Sequence, residues 1–365
     1  PPPPTIPSRL KKTLDVLTHT QQDTISLHST NQKTMTLRWT IREPADLRKW
    51  NKVCYLLHLG QGIAAIVYTI MFENAREFRI PLETNYAKWN ETSGPVHANQ
   101  KIADVPFAAV ACVVPFLSFI AHFLLTYDWP TRVNYEQTIK QFYNTARWIE
   151  YAFSSTLMFF LICLLFSIYD LTSLLALACI NATTMFCGYL MEQANRLKLS
   201  QMQENYRKDK LVLPKLTWLP FIVGAGLGVV QWTLLYSTFS SITQTMPAIV
   251  WALVFTYFVL YLSFALNMAY MYYASVQTVF KSDPLLPTKP VQVYYTNTYD
   301  STYYFFGPSR VATLPQGEPM DSSLVLKNEP LQVYYTSERI YMVLSLTSKS
   351  ILLWLIMAGV NQPNP

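Results

Sequence analysis

Two ionisable residues fall inside stretches that are otherwise apolar enough to cross a membrane. Lys349 lies in the run from Ile340 to Val360, and Glu150 follows Arg147-Trp-Ile at the head of another such run. An ammonium at a bilayer centre costs roughly 3 kcal/mol on insertion scales, so it marks a functional site and calls for an acidic partner. A lysine amine condenses with an aldehyde to an imine. In a low-dielectric site a protonated imine needs an anion beside it. The pair therefore suggests a covalently held aldehyde cofactor on Lys349 with Glu150 as its counterion; a structural Lys–Glu bridge between helices is the alternative.

Further polar residues fall at similar depth. At 1.5 Å per residue, His58 sits about 12 Å inside its span. His122 occupies the same half of a span running the other way, and Ser345 is one helical turn before Lys349. His58, Gln61, His122, Glu150 and Ser345 thus form one layer, with Arg147 counted in the same polar cavity. Two histidines beside an acid and a lysine offer titratable sites for a proton that an imine releases. Glu192, at a helix end, could take part, but reads rather as a residue reaching back to the membrane interface. Trp232 and Phe264 are candidate aromatic walls for an extended apolar group.

The elements that position these residues follow from composition. Of 365 residues, 51% are hydrophobic and only 14% charged, against about 25% charged in an ordinary soluble domain. Seven apolar runs reach the roughly 20 residues a bilayer core requires: 50–72, 105–127, 146–168, 171–191, 216–239, 247–275 and 340–360. The expected fold is an all-α membrane protein, a seven-transmembrane-helix bundle. Lysines and arginines cluster in the segments on one side of these spans, 23 of the 28 in the chain. That bias puts the N-terminus in the cytoplasm and the C-terminus outside. The expected organisation is a cytoplasmic tail over 1–45, six spans over 46–280 with an external 73–104 loop, a long cytoplasmic loop over 281–339, and a last span with a short C-terminus over 340–365.

Other classes are disfavoured. The net charge of +6 is accounted for by topology, with no interleaved basic and aromatic surface for nucleic acid. Cys54, Cys112, Cys163, Cys179 and Cys187 all fall within spans and lack metal-ligand spacing; no metal site and no enzymatic activity are expected. No cleavable signal peptide is visible, and the first span can serve as an uncleaved anchor. Asn90-Glu-Thr92 and Asn181-Ala-Thr183 match the glycosylation acceptor pattern, the second inside a span. Pro290-Val-Gln-Val-Tyr-Tyr-Thr296 is repeated as Pro330-Leu-Gln-Val-Tyr-Tyr-Thr336. The alternating, Tyr-rich stretch from Val291 to Phe306 favours a strand. Gly224, Gly226 and Gly228 give a small-residue face suited to close helix or subunit contact.

Several motifs together resemble the heliorhodopsins, retinal proteins of inverted topology. They are Leu57-His58-Leu-Gly-Gln61, Phe119-Ile-Ala-His122, Arg147-Trp-Ile-Glu150-Tyr, Val230-Gln-Trp232, Ser263-Phe-Ala-Leu-Asn267-Met, and Glu338 through Ser345 to Lys349-Ser. The resemblance implies all-trans retinal carried by Lys349 as a protonated Schiff base, with Glu150 as counterion. It also implies a cavity containing His58 and His122 that is associated with proton release, a homodimer, and a lipid bilayer environment. A light sensor with a slow photocycle is the leading expectation, and a cytoplasmic signalling partner goes with it. Light-gated passive proton transport and light-dependent regulation of a bound enzyme are the alternatives. Leu161, three turns beyond Glu150, occupies the place where proton pumps of the wider group carry a second acid, so active pumping is not expected.

Overall fold

Seven long helices, separated by proline, asparagine and aspartate stops, make up most of the computed structural model. It describes residues 43–129, 134–208, 210–240, 248–280, 292–294, 324–326 and 328–361. The long helices are α1 (Pro44–Met71), α3 (Phe107–Tyr127), α5 (Thr145–Leu165), α6 (Leu171–Arg207), α7 (Leu219–Ser240), α8 (Ala248–Ser275) and α9 (Pro330–Val360). All seven are long and apolar enough to cross a membrane. Two short helices, α2 (Glu73–Glu77) and α4 (Tyr135–Lys140), sit in connections.

Local chemistry sets the helix ends. Pro44 and Pro330 occupy the first turns of α1 and α9, where a missing N–H costs nothing. Asn144 and Asp170 cap α5 and α6 by accepting from Arg147 N and Ser173 N, which satisfies otherwise orphaned donors. Asp128 ends α3 at φ 53°, a left-handed conformation that aspartate tolerates better than most residues.

Packing brings α1 against α3 and α9, α3 against α5 and α9, α5 against α6, α6 against α7, and α8 against α9. Two apolar clusters fill the interior. One joins Phe107, Phe159, Leu161 and Ile356, and the other joins Leu47, Trp50, Phe142 and Tyr334. Leu56, Val229, Phe255 and Leu266 point outward, as they would toward lipid chains.

The expected 73–104 loop is ordered. β1 (Arg79–Asn90) pairs antiparallel with β2 (Gly94–Pro106), with a bulge at Leu82/Glu83. The hairpin is pinned to the α5–α6 turn by Glu83 N donating to Tyr169 O (2.9 Å) and Asn85 N donating to Asp170 Oδ1 (3.0 Å). At the opposite end of the bundle, β3 (Lys210–Val212) pairs parallel with β5 (Gln292–Tyr294), and β4 (Thr278–Phe280) pairs antiparallel with β6 (Leu324–Leu326).

Two boundaries lie ten residues or more from the sequence reading. α9 begins at Pro330 rather than 340, and α6 runs to Arg207 rather than 191. At 37 and 31 residues they extend about 55 and 46 Å, well beyond a hydrocarbon core of about 30 Å. Hydropathy marks only the lipid-embedded part of a helix and cannot see such extensions. The duplicated heptapeptide splits: the second copy is helical within α9, whereas Gln292–Tyr294 of the first is strand. The tail through residue 42 and most of 281–327 lie outside the described residues.

Candidate functional site

Lys349 and Glu150 meet where α9 passes α5. Their side chains form a buried ion pair, each about 5% exposed. Glu150 Oε1 also accepts from Ser118 Oγ on α3 (2.7 Å) and from Ser154 Oγ one turn along its own helix (2.8 Å). Lys349 Nζ donates to Ser345 Oγ (2.8 Å), four residues before it. The ring of Tyr151 lies beneath the ammonium, its centroid 5.4 Å from Nζ. Charge-assisted hydrogen bonds of this kind are about twice as strong as neutral ones, so the carboxylate is held in one place.

The histidines form the next layer. His58 and His122 stack with ring centroids 5.6 Å apart and planes 10° apart. His122 Nδ1 is 2.7 Å from Asn51 Oδ1, while Asn51 Nδ2 donates to Leu47 O. Because Asn51 spends its amino group on Leu47, its oxygen must accept, so His122 Nδ1 carries the hydrogen and Nε2 keeps a lone pair. Both ring nitrogens of the fully buried His58 lack a hydrogen-bond partner among the described residues.

Gln61 and Arg147 do not join this layer. Gln61 Nε2 donates to Ser350 Oγ (2.6 Å). Arg147 instead forms a second buried cluster. It ion-pairs with Glu192 (2.8 Å) and with Glu338, and its guanidinium lies over the rings of Trp148 and Tyr341. Trp148 Nε1, Asn144 N and Tyr334 Oη all donate to Glu192. Glu192 is thus 2% exposed and not an interface residue: α6 continues past it, so it faces the bundle interior rather than a helix end.

The aromatic candidates divide. Phe264 packs edge-on to Tyr151 at 5.3 Å and so stands beside the lysine site. Trp232 bridges α7 to α8 by packing on Tyr257, Phe258 and Tyr261. Beside Lys349 is a space lined by Val114, Met158, Leu161, Ile162, Leu352 and Ile356. These side chains are of the apolar kind that an apolar aldehyde joined to that amine would pack against. Trp232 Nε1 and Tyr257 Oη have no hydrogen-bond partner among the described residues. No cluster of metal-ligating side chains occurs among the described residues.

Sequence reasoning assigned no role to Ser118, Asn51, Tyr151, Tyr341 or Glu338. Ser118 and Asn51 did carry a signal, since each lies whole turns from His122 or His58 on the same helix face.

Together the fold and site define an integral, multi-pass membrane protein with a lysine–carboxylate pair sealed between helices. Residues 47–280 match the family model described as Heliorhodopsin, well over half of the chain, and the chain belongs to the heliorhodopsin family. No curated protein matches it. Membership implies a retinal chromophore linked to a lysine. The matched segment stops before α9; the structure itself brings Lys349 to Glu150, and the residues around it fit the group.

Proposed function

We propose that the chain is a light-sensing photoreceptor and not an enzyme, with all-trans retinal bound to Lys349 through a protonated Schiff base and Glu150 as counterion. One observation carries the reading: Lys349 is the only buried lysine among the described residues, and its ammonium contacts a buried carboxylate. When bound, the chromophore supplies light absorption and a change of shape. The chain's own groups do the rest. Glu150 balances the positive charge, while Ser118 and Ser154 hold its oxygen in place. His122 Nε2 and whichever His58 nitrogen carries no hydrogen are bases available to a proton released at Lys349 Nζ.

The side of Lys349 toward the hairpin is walled by Leu161, Ile162, Leu352 and Ile356. A released proton is therefore retained among the histidines, which favours a sensor over light-gated proton transport. The charge bias supports an orientation with the hairpin outside and the ends of α6 and α9 that project from the bundle in the cytoplasm. There they would meet a signalling partner; a homodimer belongs to the same reading.

The test is reconstitution with all-trans retinal. A visible band is expected in the parent and absent in Lys349→Ala, read by absorbance before and after hydroxylamine. Voltage clamp under illumination is expected to show no sustained current. A band that survives in the mutant rejects the site, and a current that reverses with the proton gradient rejects the sensor.

A further inference from the structure

We propose that Asn90 is a site of N-linked glycosylation, the acceptor for an oligosaccharide carried on a lipid pyrophosphate. The inference rests on the orientation proposed above. Asn90-Glu91-Thr92 has the acceptor pattern, and its place in the fold separates it from a chance match. Asn90 ends β1 and Gly94, at φ 76°, opens β2, so the tripeptide is the hairpin tip. Every residue from Asn85 to Ser93 is exposed. Among the described residues the last bond pinning β1 to the bundle is at Asn85, which leaves about 17 Å of strand projecting beyond it.

The side chains are arranged for the reaction. Asn90 Oδ1 accepts from Thr92 Oγ1 (2.7 Å) and Thr92 N (2.9 Å), so the asparagine and threonine present together. Asn90 Nδ2 makes no hydrogen bond to another described residue. In the transfer Nδ2 bonds to the anomeric carbon of the first sugar. The bond from that carbon to the pyrophosphate oxygen breaks, the lipid pyrophosphate leaves with the electron pair, and the amide proton passes to a base of the membrane transferase. Trp89, 73% exposed beside the acceptor, offers the first sugar an apolar face to lie on.

The second acceptor pattern is closed to the same chemistry. Asn181 is fully buried, its Nδ2 donates to Ser155 and Thr156, and its Oδ1 accepts from Gln231. One glycan per chain is expected.

The experiment is expression of the full chain in a eukaryotic cell supplied with retinal, with gel mobility compared before and after a glycan-releasing amidase. A shift of one glycan is expected, lost in Asn90→Gln and in Thr92→Ala but kept in Thr183→Ala, with the visible band present throughout. Labelling of a tag after Pro365 on intact cells fixes the side of the hairpin independently. A tag labelled outside with no glycan overturns the site and leaves the orientation standing, and a shift that persists in Asn90→Gln overturns it too. A hairpin found in the cytoplasm overturns the site together with the orientation.

Discussion

One oxygen of Glu150 collects Ser118, Ser154 and Lys349, so the proposed counterion cannot easily turn away from the amine. Neutralising it would remove the charge that, on the proposed reading, keeps the imine protonated. Glu150→Gln is therefore expected to move the absorption band of the pigment from the visible to the ultraviolet near neutral pH, read by spectrophotometry across a pH titration. An unchanged visible band would assign the counterion role to another anion. Ser118→Ala and Ser154→Ala each remove one bond to a charged acceptor, worth about 1.5–3 kcal/mol; both are expected to keep a visible pigment with a displaced maximum. Much of this site is legible residue by residue. Lys349 and Glu150 announce themselves by their cost in lipid, and Ser345 by lying one turn away. Arg147 and Glu192 do not, because a charged residue near a helix end has the same spacing whether it faces headgroups or a buried partner.

Helix contacts explain the elements that hydropathy alone misplaces. Where α6 crosses α5, Gly188 lies under the indole of Trp148, and a Cβ built there would come within 2.2 Å of the ring. Trp148 cannot yield readily, since its Nε1 is committed to Glu192 at 2.9 Å. Gly188→Ala is thus an overpacking change, expected to cost about 1–3 kcal/mol and to lower the thermal bleaching temperature of the pigment. Gly224 likewise faces Cys187, and Gly228 faces Tyr261, so two of the three glycines of α7 serve contacts within the chain. The hairpin supplies a pH-dependent contact. Hydrogen bonds from Ser173 N, Ser173 Oγ and Asn85 N hold the Asp170 carboxyl below its ordinary value of 3.8. A depressed carboxylate contributes stability that is fully present above that ordinary value and is lost as pH falls through the depressed one. Asp170→Ala removes the α6 cap, worth about 1 kcal/mol, and frees β1. Faster amide exchange at Glu83 and Asn85 is expected at neutral pH, with the difference from the parent narrowing in strong acid. The long strands of the hairpin were not anticipated from composition, because Arg79–Asn90 lacks strict alternation and finds its order in its partner strand and the α5–α6 turn.

For the whole molecule, the two apolar clusters divide the bundle into a half next to the hairpin and a half next to the ends of α6 and α9, with the lysine site between them. The polar residues are not shared equally. His58, His122 and the Arg147 cluster lie on the side of Lys349 away from the hairpin, and the α6 and α9 extensions continue that side, clasped by Gln203 to Glu329 (2.6 Å) and to Leu331 N (3.0 Å). The number of helices was legible because lipid demands about 20 apolar residues per crossing. The extensions were not, because outside lipid a helix is held by partners distant in sequence. Matching parts of the near-identical heptapeptides differ for the same reason: Gln292–Tyr294 takes its hydrogen bonds from Lys210–Val212, whereas Tyr334 and Tyr335 are buried against the bundle. In the proposed orientation the polar half and its extensions face the cytoplasm, so that light absorbed at Lys349 would be reported inward. A tag before Pro1 is then expected to be labelled only after cells are permeabilised, and one after Pro365 on intact cells. The reverse pattern would turn the histidine layer toward the outside and make a cytoplasmic partner untenable.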